Sequence, residues 1–107
     1  MSGLIGWRSA AWQGDLTSDG QYIGLALNVE THMGEVVTGR IFVDGFAATY
    51  SGVVRENGTI EFTWQSRRMA GELRGVMGAD GQTMTGTLRN RGSGARVNGS
   101  FAIDRRL

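Results

Sequence analysis

The chain has 107 residues and a mass of 11.5 kDa, which fits one domain over 1–107 with a thin margin of buried surface. It contains no cysteine, excluding disulfides, thiolate metal sites and thiol catalysis, and its formal net charge of +1 excludes a partner held by bulk charge alone. No apolar run reaches the roughly 18 residues of a spanning helix, and no basic segment precedes an apolar run at the start, so no signal peptide is visible and a cytoplasmic location is expected.

Period-2 patterning begins at Trp12-Gln-Gly14-Asp-Leu16, the first of six segments in which a glycine sits midway between apolar residues four positions apart. Asp19-Gly20 follows, a dipeptide suited to a two-residue hairpin turn. The run 22–29 carries Ile23, Leu25, Leu27 and Val29 in alternation and predicts the second strand. A loop is expected over 31–34, with His32, the single histidine, as a solvated residue. Val37-Thr-Gly39-Arg-Ile41 predicts the third strand, Asp44-Gly45 a tight turn, and Tyr50-Ser-Gly52-Val-Val54 the fourth strand. At Asn57-Gly58 a two-residue turn would set Val54 against Glu61. A three-residue loop over 56–58, with Gly58 left-handed, restores Val54 opposite Ile60. The run 59–65 predicts the fifth strand. Leu73-Arg-Gly75-Val-Met77, Met84-Thr-Gly86-Thr-Leu88 and Val97-Asn-Gly99-Ser-Phe101 predict the last three, with Asp80-Gly81 read as a two-residue turn.

These turns pair Leu16 with Ile23, Ile41 with Ala48 and Met77 with Met84, so they agree on one apolar face. Trp12, Leu25, Leu27, Val37, Phe46, Tyr50, Phe62, Trp64, Met69, Leu73, Leu88, Val97 and Phe101 fall on that inward face. An all-β chain of eight antiparallel strands with one apolar face predicts an up-and-down meander closed into a small barrel, which removes its edges. A two-sheet β-sandwich is the alternative. Strands of the form apolar-x-Gly-x-apolar, with Gly6-Trp7 near the start, resemble the streptavidin-like and lipocalin-like group of small barrels over most of the chain. The cluster of Asn, Ser and Tyr that holds biotin in avidin-type barrels is missing near the first strand, so the resemblance does not imply biotin binding.

No inward position carries an acid, a base or a nucleophile apart from the phenol of Tyr50, so no catalytic residue is assigned. One histidine and scattered carboxylates offer no metal-ligand spacing, and no cofactor is expected. The inward glycines thin the lumen, and Trp12, Tyr50, Trp64, Met69 and Met84 are the expected wall of a ligand site. Arg67, Arg68 and Arg91 fall in loops at one end and are the expected rim. Tyr22, Val36, Phe42 and Val53, with Ala26 and Ala47, point outward on the second to fourth strands and are the expected homodimer interface. The outer face lacks a basic stripe, which argues against nucleic acid, and its Thr, Glu and Arg positions break the apolar band of a membrane barrel. The sequence therefore reads as a non-catalytic binder of a small apolar or amphipathic molecule. The alternatives are a cyclase- or isomerase-type enzyme acting by enclosure, with Tyr50 as polariser, and a purely structural interaction module.

Overall fold

The computed structural model describes residues 11–67, 69–91 and 98–106. They form eight strands: β1 (Ala11–Ser18), β2 (Gln21–Met33), β3 (Val36–Val43), β4 (Phe46–Val54), β5 (Thr59–Gln65), β6 (Ala70–Met77), β7 (Thr83–Asn90) and β8 (Gly99–Arg106). Each pairs antiparallel with its neighbour in sequence, and β8 returns to β1 from Thr17↔Ser100 to Ala11↔Arg106. That ladder decides for the barrel. A sandwich would leave β1 and β8 as edges with unpaired backbone groups, whereas here those groups meet each other.

The turns set the register as their residues require. Asp19 and Asp44 have φ of 51° and 46°, followed by Gly20 at 77° and Gly45 at 86°, the left-handed pair of a type I′ hairpin. Leu16 accordingly faces Ile23, and Ile41 faces Ala48. Val54 faces Ile60 across a loop in which Gly58 has φ 94° and donates its N–H to the Arg55 carbonyl at 2.8 Å.

Three expectations are corrected. The hairpin at Asp80-Gly81 is not a two-residue turn. Only Gly81 is left-handed there, Gly78 N–H donates to the Thr83 carbonyl at 2.8 Å, and the chain turns through 79–82. Asp80 Oδ1 accepts the Gln82 N–H at 2.9 Å and steadies the wider turn. A four-residue loop has the parity of a two-residue one, so Met77 still faces Met84. Nor is 31–34 a loop: β2 runs on to Met33 because the register shifts between Val29 and Thr31, leaving Glu30 as an extra, bulged residue. His32 therefore lies in a strand opposite Val37, with its Nε2 hydrogen-bonded to the Gly34 carbonyl at 2.8 Å. Phe46 has inward parity opposite Val43 but is 40 % exposed, because that pair sits at the lip of the barrel.

The lumen is a packed core. Trp12, Leu16, Leu27, Ile41, Ile60, Leu73, Met84, Leu88 and Ile103 are fully buried, with Tyr50, Phe62, Trp64 and Phe101 close to it. Val97 lies outside the described residues. Inward glycines admit bulky partners across the ladder. At Gly39 a Cβ would overlap the Asn28 carbonyl and come within 3.0 Å of Tyr50 Oη, so only glycine lets β2 and β3 approach there while Tyr50 lies across them. At Gly71 a Cβ would come within 2.5 Å of Trp64 Cζ2 and 2.7 Å of Cε2. Tyr50 pairs with Gly39 and Trp64 with Gly71, so each aromatic ring fills the space its glycine leaves.

Candidate ligand-binding site at the loop end of the barrel

Up-and-down order puts the β1–β2, β3–β4 and β5–β6 connections at one end and the connections at Gly34, Asn57-Gly58 and 79–82 at the other. At the first end, Ser66 N–H donates to the Met69 carbonyl at 2.7 Å and Met69 N–H to Ser66 Oγ at 3.3 Å. This short closure holds the Met69 backbone at the lip. Beneath it Ile41, Val43, Phe46, Ala47, Ala48, Trp64, Ser66 and Met69 surround a cavity of about 10 Å³, room for one water-sized group. Its lining is almost wholly apolar, and Phe46 and Met69 are only partly buried, so two flexible or half-exposed side chains cover it.

The structure separates the expected wall residues by depth. Trp64 and Met69 come together at this cavity. Trp12 and Met84 are fully buried toward the opposite end, where Trp12 faces Leu27 and Met84 faces Met77. Tyr50 lies between, 3 % exposed, with its ring centroid 4.7 Å from that of Phe62. Its hydroxyl donates to the Asn28 carbonyl at 3.0 Å. Burial raises the phenol pKa well above its ordinary value, and the nearby Glu30 charge raises it further. A proton held in this way is poorly placed for transfer to a substrate.

Trp64 is different. It is 3 % exposed, and its indole N–H is buried without an acceptor among the described residues. The Cε2 edge of the indole lies over Gly71, whose other cross-strand neighbour is Asn90. Two inward-facing positions with polar groups thus flank Gly71 toward the loop end, from β5 and β7. Sequence parity marks both as inward, as it does Phe46, but it carries no signal for Ser66 or for the place of Phe46 at the lip.

Arg67 and Arg91 are both exposed. Arg67 borders an open outer groove with Arg40, Thr49 and Gln65, and Arg91 borders a neighbouring one with Ser51, Thr63 and Gln65. They flank the outside of β4 and β5 near the lip. Arg68 lies outside the described residues. Among the described residues no three His, Cys, Asp or Glu side chains form a metal-binding group.

The outward apolar residues fall into two groups. Ala26, Phe42 and Ala47 share one cross-strand row, with Tyr22 beyond it, while Val36, Val53 and Met33 lie near the other end. Between them run two polar rows, Asn28–Arg40–Thr49 and Thr31–Thr38–Ser51. Tyr22 is 77 % exposed, whereas Phe42 and Val53 are half-buried against their neighbours. Beside Tyr22 the outward Gly24 has nothing within 4 Å of where a Cβ would stand, and it floors a hollow of about 490 Å³ bordered by Gln13, Ala26, Phe42 and Asp44.

No protein family, curated protein or solved structure is significantly similar to this chain.

Proposed function

We propose that this protein is a non-catalytic binder of a small apolar or amphipathic molecule, and that the ligand enters at the loop end beneath Phe46 and Met69. The observation that carries the reading is the apolar cavity there, walled by Trp64 and covered by side chains that are already partly exposed. In its closed form the cavity is far below the roughly 300 Å³ of an ordinary ligand pocket. Binding therefore requires Met69 and Phe46 to swing outward. Each 100 Å² of apolar ligand area then removed from water contributes about 2.5 kcal/mol. The likeness to streptavidin-like and lipocalin-like barrels supports the reading through architecture alone. Titration with fatty acids, retinoids and aromatic acids should change tryptophan emission saturably, and Met69→Asp should weaken the response. A flat response to every probe would count against the reading.

A second element of the reading is self-association through Tyr22, Ala26, Phe42 and Ala47. The exposed Tyr22 ring stands beside the Gly24 hollow on the same strand, and a two-fold axis between them would set each ring into the partner's hollow. Light scattering should give about twice the 11.5 kDa chain mass at tens of micromolar protein. Phe42→Glu or Tyr22→Ser should give a folded monomer, since neither touches the core. A wild-type mass near 11.5 kDa would remove this element and leave the ligand site untouched.

A further inference from the structure

We infer that the indole N–H of Trp64 is the hydrogen-bond donor of the loop-end site and that the ligand presents a neutral carbonyl oxygen to it. This rests on the ligand-binding reading above and deepens it. A buried tryptophan N–H ordinarily finds a partner, and one that lacks it calls for an explanation. The neighbouring aromatic on the same wall follows the rule, because Tyr50 donates to the Asn28 carbonyl at 3.0 Å. Trp64 does not: its Nε1 is buried and meets no acceptor among the described residues. The arrangement is held in place, since a Cβ at Gly71 would come within 2.7 Å of Cε2, the carbon bonded to Nε1.

The donor fixes the chemistry of its guest. A hydrocarbon would leave it unpaired, and an amine would bring a second donor. A carboxylate would carry charge into a lining built from Ile41, Val43, Ala48 and Met69, with Arg67 turned to an outer groove. A ketone, ester or amide oxygen accepts the bond at the least desolvation cost, while its apolar remainder packs on those side chains.

Three probes of similar shape test this: acetophenone, ethylbenzene and benzoate, followed by calorimetry and by the ¹H–¹⁵N indole resonance of Trp64, which is assigned by its loss in Trp64→Phe. Acetophenone should bind up to ~10-fold tighter than ethylbenzene and shift the indole proton downfield, and the preference should vanish in Trp64→Phe. Benzoate should bind more weakly than acetophenone. Equal binding of acetophenone and ethylbenzene with an unmoved indole resonance would overturn the inference and leave an apolar site standing. Benzoate binding tightest would overturn the neutral-carbonyl assignment. An indole resonance already at a hydrogen-bonded position and unchanged by acetophenone would assign the donor to a bound water only and overturn it. No binding of any probe would remove the site itself. If Trp64→Phe fails to fold, the wild-type comparison of acetophenone with ethylbenzene decides.

Discussion

Gly39 and Gly24 are both strand glycines on adjacent strands, yet they do opposite work. A side chain at Gly39 would meet the Asn28 carbonyl and Tyr50 Oη, whereas one at Gly24 would meet nothing within 4 Å. Gly39→Ala should therefore cost about 1–3 kcal/mol through forced strand separation. Gly24→Ala should leave stability unchanged or raise it by about 0.4–1 kcal/mol through the unfolded chain. Urea midpoints compare the two, and equal losses would contradict the assignment of Gly39 as a contact glycine. Tyr50 adds a pH signature. Its folded pKa is raised, so its full contribution is present below the unfolded phenol value of 10.0 and is lost as pH rises toward the folded one. In that window the unfolded chain has released a proton that the folded chain retains, so stability should fall by about 1.4 kcal/mol per pH unit. Tyr50→Phe should flatten that decline and cost about 1 kcal/mol at neutral pH for the lost bond to Asn28. An identical alkaline decline in the variant would show that another group is responsible.

Among the elements, the hairpins that dictate register are those whose turn residues leave no choice of conformation. Gly45 at φ 86° follows Asp44 at φ 46°, and an alanine at Gly45 would hold a left-handed backbone at a cost of about 1 kcal/mol or more. Gly45→Ala should lower the thermal midpoint while the wild-type strand pairing persists in amide exchange, and an unchanged midpoint would contradict the turn assignment. Such turns make most of the fold legible in sequence, because parity at Asp19-Gly20 and Asp44-Gly45 commits the side chains on the strands flanking each turn to a face up to the next irregularity. The Glu30 bulge is illegible for the same reason that it matters: one extra residue reverses the phase after Val29 without any change in composition. The wider turn over 79–82 escapes detection because it preserves parity. Depth along the barrel is also hidden. Alternation marks Trp12, Tyr50, Trp64, Met69 and Met84 as inward, but only the stagger between strands brings Trp64 and Met69 to one cavity and sends Trp12 and Met84 toward the other end.

At the scale of the whole molecule the barrel has a filled middle and two unlike ends. Among the described residues the lumen is filled by buried aromatic and aliphatic side chains, so the proposed guest must enter where the wall can give way. Under the proposed reading that place is the loop end, at Phe46, Met69 and the Ser66–Met69 closure. At the other end lie the wide turn over 79–82 and the Asn57-Gly58 loop, which is tied across by the Met77 N–H to the Gly58 carbonyl at 2.8 Å. The most direct test of entry at the loop end is a ¹H–¹⁵N titration of the assigned wild-type protein with acetophenone and with a short-chain fatty acid. Resonances of Ala48, Ser66 and Met69 and the Trp64 indole should shift saturably while those of Gly34, Gly58 and Gly81 stay in place. Shifts centred on Gly34, Gly58 and Gly81, or no saturable shift at either end, would contradict it.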